Sequence, residues 1–592
     1  MRRGRAPDRD LHHADAAGEH RPAVRPVTCV SFAASSADGS HDVSVSFAAA
    51  GEIAANTPDQ EVDWSRADTD GLVVLKAGTR EQPVLARRGD DLRIDWGYLY
   101  LAAPAGTAVD GHALRLDLGK LGPETVSRWL MLAYDDLYSI QYMGENLRPY
   151  WRRNGWEASD LLKASLAERA GLEERCARFD AELMADFEKA GGASYAALAA
   201  LAFRQCFAAG KFVADANGQP LQFSKENHSN GCIATSDVFY PMAPQFLLFG
   251  PSLAKSFLVP FMNYAASPRW KFPFAPHDLG QYPHANGQVY GGGERTVDNQ
   301  MPVEESGNLL ILMAAVARME GDARFAELYW PQLETWAGYL REKGFDPENQ
   351  LCTDDFAGHL AHNVNLSAKA ICGLGAFALL CEMRGLKEPA AEYRTLAADF
   401  ARKWAAAADD GDHLRLAFDR PGTWSQKYNL VWDRLLGLGL FPDAVLRKEM
   451  THYRASQKRY GLPLDNRKEY TKLDWILWTA TLTRDRADFD ALLNPVIAFL
   501  NETPDRSPMT DWYEAGDARK VGFTARPVVG GVLLQMLYDR DVWSKWAGRD
   551  TTRASGWAPM PLPPCWCRWC RPPARTRPCN GGMSPPIPAR AG

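Results

Sequence analysis

Positive charge is not in surplus: 67 Lys and Arg stand against 73 Asp and Glu, a net −6 at pH 7 over 592 residues. That balance gives no electrostatic footing for nucleic acid or an anionic membrane as partner. A run of about 20 apolar residues is not evident, so no membrane span is expected. Residues 1–26 are rich in Arg, His, Asp and Pro and hold no apolar stretch of the kind a secretory leader needs. As it stands, the chain reads as cytoplasmic. Cysteine is sparse, with 11 in all. Seven (Cys29, Cys176, Cys206, Cys232, Cys352, Cys372, Cys381) are scattered and fit small buried hydrophobes. The other four, Cys565, Cys567, Cys570 and Cys579, mimic a zinc knuckle loosely, among Pro and Arg that carry no helical or strand periodicity. No Gly-x-Ser-x-Gly elbow occurs. Gly291-Gly292-Gly293-Glu294 lacks the Lys and Ser/Thr of a phosphate loop. Ser252-Leu253-Ala254-Lys255 fits a Ser-x-x-Lys pattern, but it opens what reads as an outer helix.

What the chain does have is repetition. Polar, aromatic-rich loops recur roughly 45–70 residues apart, each followed by an apolar helix, a turn and a second helix. They carry Thr235-Ser236-Asp237, Glu304-Glu305-Ser306, His362-Asn363-Val364-Asn365, Trp424-Ser425-Gln426-Lys427-Tyr428, Lys472-Leu473-Asp474-Trp475 and Phe523-Thr524-Ala525-Arg526. Paired helices are expected over residues 308–319 and 324–343, 366–384 and 389–408, and 472–483 and 486–501. The first of each pair is apolar all round, as in Leu309-Leu310-Ile311-Leu312-Met313, and the second is amphipathic. That asymmetry places one helix inside and one outside. Six such hairpins close into an (α/α)6 toroid, with the loops into its inner helices gathered at one end.

The rest divides by period. Residues 1–25 read as a disordered or misread start. Residues 26–123 read as an antiparallel β-sandwich, with His41-Asp42-Val43-Ser44-Val45-Ser46-Phe47 alternating as a half-buried strand does, and residues 71–76 and 92–100 similar. Residues 124–190 read as a helical connection, with amphipathic stretches at 129–151 and 158–190. The toroid follows over 191–550, and an unstructured tail over 551–592. The fold class is therefore mainly α with an N-terminal β domain.

Both amide and glycoside hydrolysis need a proton donor and a means of activating water, and two carboxyl groups in different environments supply both. The leading catalytic candidates are Glu305, Asp355, Asp474 and Asp433, carried on the loops into inner helices. Of the adjacent Glu304 and Glu305, one points into the barrel and the other supports it, since neighbours on a helix diverge by about 100°; Glu305 is assigned inward. Asp237, just after Thr235-Ser236, suits a helix cap. The segment 353–365, with Asp354, Asp355, His359, His362, Asn363 and Asn365, is the most polar entry to an inner helix. His362 and Asn363 are candidate substrate contacts there. His359 and His362 with Asp355 could ligate a metal, but the spacing is weak evidence and no metal or cofactor is assigned. Lys472, Asp278 and Asp511 are candidate substrate ligands, with Lys427 and Arg526 as further cations. Trp424, Tyr428, Trp475, Trp512 and Tyr513 would shape the pocket; 19 Trp and 11% aromatics are high.

Four stretches carry a resemblance. Glu81-Gln82-Pro83-Val84-Leu85-Ala86 through Arg93-Ile94-Asp95-Trp96-Gly97-Tyr98, His277-Asp278-Leu279-Gly280-Gln281-Tyr282-Pro283, Met301-Pro302-Val303-Glu304-Glu305-Ser306-Gly307-Asn308, and Trp424 through Asp433 resemble the glutaminase A family of microbial hydrolases over residues 25–557. The resemblance implies a β domain followed by a six-helical-hairpin domain, and hydrolysis of glutamine to glutamate and ammonia. The toroid is more often a glycosidase scaffold, so glycoside hydrolysis by paired carboxylates stays open as the alternative. A small-molecule substrate is expected in either case. The family implies a secreted or periplasmic parent, a truncated start and a frame-shifted tail beyond Trp557.

Overall fold

The computed structural model describes residues 8–13, 25–69, 71–352 and 357–550. Nine strands build the N-terminal part: β1 (Asp8–His13), β2 (Val27–Ala34), β3 (His41–Ala48), β4 (Val62–Thr69), β5 (Leu72–Thr79), β6 (Tyr98–Pro104), β7 (Ala108–Asp110), β8 (Ala113–Leu121) and β9 (Val126–Asp135). They form a six-stranded sheet, β1-β2-β9-β6-β5-β4, and a three-stranded sheet, β3-β8-β7, with antiparallel pairing throughout. Val30, Phe32, Val73, Leu75, Leu101, Leu114, Leu116 and Leu130 make the core that includes both sheets. On the large sheet's other face, Val27, Leu72, Val74, Met131 and Ala133 pack with Trp151, Leu161 and Leu162.

Two readings of this region are corrected. Residues 129–151 are not a helix: β9 is an inner strand of the large sheet, and the short strands Ile140–Tyr142 and Glu145–Leu147 follow it. Both faces of β9 are covered, so its apolar run lacks alternation and imitates a helix. Residues 92–97 form a loop, and the strand begins only at Tyr98. Residues 8–13 of the expected misread start pair as β1 with β2. The tail from residue 551, with its four cysteines, lies outside the described residues.

The helices are α1 (Ala158–Ala208), α2 (Ser236–Phe249), α3 (Pro251–Ala265), α4 (Pro302–Glu320), α5 (Arg324–Glu327), α6 (Trp330–Lys343), α7 (Val364–Met383), α8 (Lys387–Ala407), α9 (Val431–Leu436), α10 (Asp443–Ser456), α11 (Leu473–Ala480), α12 (Arg486–Glu502), α13 (Leu534–Leu537) and α14 (Arg540–Ala547). α1 breaks at Gly192, whose φ of 81° interrupts the helix. Six inner segments close a ring: α2 packs on α4, α4 on α7, α7 on the 3-10 turn Tyr428–Leu430 that leads into α9, that turn on α11, α11 on the 3-10 stretch Pro527–Leu533, and that stretch on α2. Every residue of α2 is buried. Outer helices show one stripe, as α12 does with Phe489, Leu492, Leu493, Val496 and Phe499, each apolar side chain contributing about 1.5–3 kcal/mol on burial. The exception is α3, buried almost throughout, which packs against the strand Pro220–Ser224.

At 20 residues α7 is long and apolar enough to cross a membrane, which corrects the reading that no such run exists; 94% of its apolar window is buried inside the protein, as the ring's inner helix.

The two parts meet at the ring's loops. Gly89 N donates to Tyr282 O at 3.0 Å, a ring nitrogen of His284 (Nε2) lies 2.8 Å from Leu85 O, and Lys225 Nζ donates to Asp90 O at 2.5 Å. Gly231 sits at φ +73°, and a Cβ there would meet Asp90 Cα at 2.5 Å, so only glycine permits this approach.

Candidate active site

Three inner helices bring an acid to the same end of the ring in their first turn: Asp237 on α2, Glu304 and Glu305 on α4, Asp474 on α11. A helix N-terminus favours negative charge there, which offsets part of the cost of burying a carboxylate. Glu305 is fully buried. Its Oε2 accepts from Ser236 Oγ and from Asn308 Nδ2 (3.1 Å), while Oε1 has no partner among the described residues. Burial, then the charge of Asp237, pushes the Glu305 carboxyl well above the usual range. Glu304 instead pairs with Lys369, whose Nζ lies 4.0 Å over the Tyr240 ring.

His277 is held from three sides. Its ring stacks on Tyr290 at 4.1 Å, its Nδ1 lies 3.0 Å from Asp278 Oδ2, and its backbone N–H donates to Gln288 Oε1 at 2.7 Å. Asp278 in turn accepts from the N–H groups of Gly280 (2.7 Å), Val289 (3.1 Å) and Tyr290 (3.1 Å). His277 Nε2 stands 3.8 Å from Asp237 Oδ1. Burial opposes its charge, but Asp278, Asp237 and Glu305 together hold the imidazolium up to about 10.

A second cluster follows around the mouth. Antiparallel pairing sets Lys472 opposite Trp512, beside Asp511. Lys472 Nζ lies 3.3 Å from Asp474 Oδ2 and 3.6 Å from Asp511 Oδ2, and 4.9 Å over the Trp475 ring. Arg526 reaches Asp511 Oδ2 at 3.0 Å and Glu226 Oε2 at 3.8 Å, joining the two clusters. All five charged groups are buried. Burial raises Asp474 to about 6, with Lys472 pulling it down and Asp511 pushing it up. Tyr428 stacks on Trp475 at 4.1 Å, and Trp475 Nε1 has no partner among the described residues. Buried polar atoms left over at such density mark a site built for a polar ligand.

The structure thus brings Glu305, Asp474, Asp511, Lys472, Tyr428 and Asp278 to one end of the ring, Asp278 as the support of His277. Other candidates lie elsewhere. Asp433 accepts from Leu440 N (2.8 Å) and Phe441 N (3.4 Å), fixing the turn after α9 rather than facing the mouth. His362 is half-buried and paired to Asp346 at 2.8 Å. Asn363 caps α7 by accepting from Leu366 N at 3.0 Å. Trp424 is half-buried against His452 and Tyr453 of the outer helix α10. Lys427 is buried against Ser425 O (2.8 Å) and Glu449 (3.6 Å). Asp355 lies outside the described residues. Asp237 is not the cap it resembled: Thr235 occupies the cap position, and Asp237 turns to His277. Glu226 and His277 escaped selection. His277 stood within a quoted family stretch, whereas Glu226, in a loop, joins the site through Arg526, 300 positions away in sequence.

Comparison with known proteins agrees with this architecture. Residues 192–536, more than half of the chain, match a family described as the glutaminase A six helical-hairpin domain. Residues 19–112 and 107–186 match a domain of unknown function, DUF5127. The chain is 30% identical over 550 residues to Glutaminase A of Aspergillus oryzae, covering 85% of this chain and 79% of that one. A relative from Arthroderma benhamiae, also named a glutaminase, is 27% identical over 474 residues, covering 65% of this chain and 54% of its own length. Among solved structures, a bacterial glucoamylase complexed with acarbose overlaps at a TM-score of 0.48 and 10% identity, over 90% of this chain and 81% of that one. A metal-independent alpha mannosidase from Streptococcus pneumoniae overlaps at 0.43 and 10%, over 63% and 97%. Both overlaps are too loose to bear on chemistry.

Proposed function

The chain belongs to the glutaminase A family, and on that footing we propose that it hydrolyses the side-chain amide of glutamine to glutamate and ammonia at the mouth of the ring. The observation that carries this reading is the alternation Asp474, Lys472, Asp511, Arg526. A free amino acid presents an ammonium and a carboxylate on one carbon, and its recognition calls for anions and cations side by side in a dry pocket. A neutral sugar would use such groups for hydrogen bonds to its hydroxyls but offers no opposite charges for them to pair with.

The chemistry falls to two carboxyl groups whose environments differ. Glu305 Oε2 is taken up by Ser236 and Asn308, so the proton rides on Oε1 and is available to the departing nitrogen. Asp474, at about 6, is ionised at neutral pH yet basic enough to take a proton from water. Water then attacks the amide carbon, the C–N bond breaks, Asp474 receives the water proton and Glu305 supplies one to ammonia. Trp475, stacked on Tyr428, walls the pocket.

One observation favours glycoside hydrolysis instead: Glu305 and Asp474 stand on α4 and α11, with two inner segments between them around the ring, so they oppose each other across the lumen as an acid and a base would. Ammonia release from L-glutamine, measured beside a panel of aryl glycosides, separates the two. Ammonia without glycoside cleavage supports the proposal. Glycoside cleavage without ammonia from folded protein overturns it.

A further inference from the structure

Glu226, Asp237 and His277 are buried at the mouth and take no part in the chemistry above. Each offers one ligand atom, and those atoms lie within 4.8 Å of one another. The orientation of His277 is the informative part. Its Nδ1 is occupied by Asp278, which three backbone N–H groups pin in place. Nε2 is therefore the nitrogen turned to Asp237, at 3.8 Å. That separation is too long for a hydrogen bond, but it suits two donors on one ion: atoms about 2.0–2.2 Å from a shared cation, at tetrahedral or wider angles, lie roughly 3.4–3.8 Å apart. An imidazole whose other nitrogen is fixed by a carboxylate is also how metal-bound histidines are supported. A second observation points the same way. Glu305, wholly buried and tied through Oε2 to Ser236, the residue before Asp237, leaves Oε1 without a partner among the described residues.

We propose that Glu226, Asp237 and His277 bind one divalent transition-type cation, zinc or manganese, with a coordination position left open toward Glu305. One imidazole nitrogen and two carboxylates suit those ions, whereas calcium takes six to eight oxygen ligands. Two carboxylates neutralise a dication, and Arg526, 3.8 Å from Glu226, keeps that carboxylate aligned. Cys232 groups with His277 and Asp278 rather than with Glu226 and Asp237, and is left out. The site stands apart from the identity of the substrate.

The test uses the full chain, stripped with a chelator and titrated with zinc by calorimetry, then with cobalt by visible absorption. One equivalent should bind. Asp237→Asn and His277→Gln should each abolish saturable binding, while Asp278→Asn, which removes only the support, should weaken it by about 10–100-fold. Absence of saturable binding by the parent chain overturns the site, as does affinity unchanged in the ligand variants. Should those variants fail to fold, unchanged affinity in folded Asp278→Asn overturns it equally. Ammonia release separates this inference from the glutaminase reading. Turnover by stripped protein that binds no zinc removes the site and leaves the enzyme; stoichiometric zinc binding without turnover keeps the site and removes the glutaminase.

Discussion

Replacing Asp474 by Asn separates a catalytic carboxylate from a structural one, because the two roles predict opposite effects on stability. Asp474 is fully buried and its acidity is weakened from 3.8 to about 6 by burial, despite Lys472 at 3.3 Å. The folded chain therefore holds the Asp474 proton more tightly than the unfolded one. Between about pH 4 and 6 the native state binds more protons, so stability falls as pH rises through that window. Above it, the ionised carboxylate costs about 3 kcal/mol, the equivalent of the interval between 3.8 and about 6. Asn removes that cost. Lys472 loses one neighbour but keeps Asp511 at 3.6 Å, which leaves a net gain of about 1–2 kcal/mol at pH 7.5 and little change at pH 4. Urea denaturation at the two pH values measures this. Turnover, in contrast, should fall by about 10²–10⁴-fold with loss of the base, and the acidic limb of the pH–rate profile, near 6 in the parent, should vanish. An active variant, or one destabilised at pH 7.5, would refute the assignment.

Other substitutions test the remaining parts. Arg526→Lys keeps the charge but loses the fork that spans Asp511 and Glu226, so KM for glutamine should rise about tenfold, with kcat changed less in steady-state assays. Asp433→Asn should cost about 1–2 kcal/mol in denaturation and leave turnover intact, because that carboxylate holds the turn after α9, accepting from the N–H groups of Leu440 and Phe441. His362→Ala should leave turnover unchanged and stability within about 0.5 kcal/mol, as its partner Asp346 is half exposed. Gly231→Ala forces a Cβ into the Asp90 backbone and should cut turnover while the helical ring keeps its far-ultraviolet dichroism.

The ring was legible because its inner helices are apolar all round. Leu309-Leu310-Ile311-Leu312-Met313 admits no other placement than a buried one, and α8, with only Ala390, Ala397, Ala401 and Trp404 buried, admits no other than a surface one. β9 was not legible, because a strand covered on both faces loses the alternation that marks it. Within the site, local polarity alone did not separate roles. Segment 353–365 is dense in polar groups, of which His362 pairs with Asp346 and Asn363 caps α7, while Asp355 lies outside the described residues. Glu226 has the reverse problem: nothing around it in sequence signals a site, and its importance comes from Arg526 across the closed ring. Capping chemistry and active-site chemistry use the same residue types at helix starts, so Asp237 could be told from a cap only once His277 was placed beside it.

The contacts from Leu85, Gly89 and Asp90 to His284, Tyr282 and Lys225 alter what counts as the smallest working enzyme. A fragment cut at residue 192 would retain every carboxylate at the mouth and still lack the scaffolding of the loops that carry His277 and Glu226. Shuffling β domains between relatives should then retune the chemistry without a single substitution in the ring. Substitutions in residues 85–90 should accordingly alter turnover without touching the ring's own side chains.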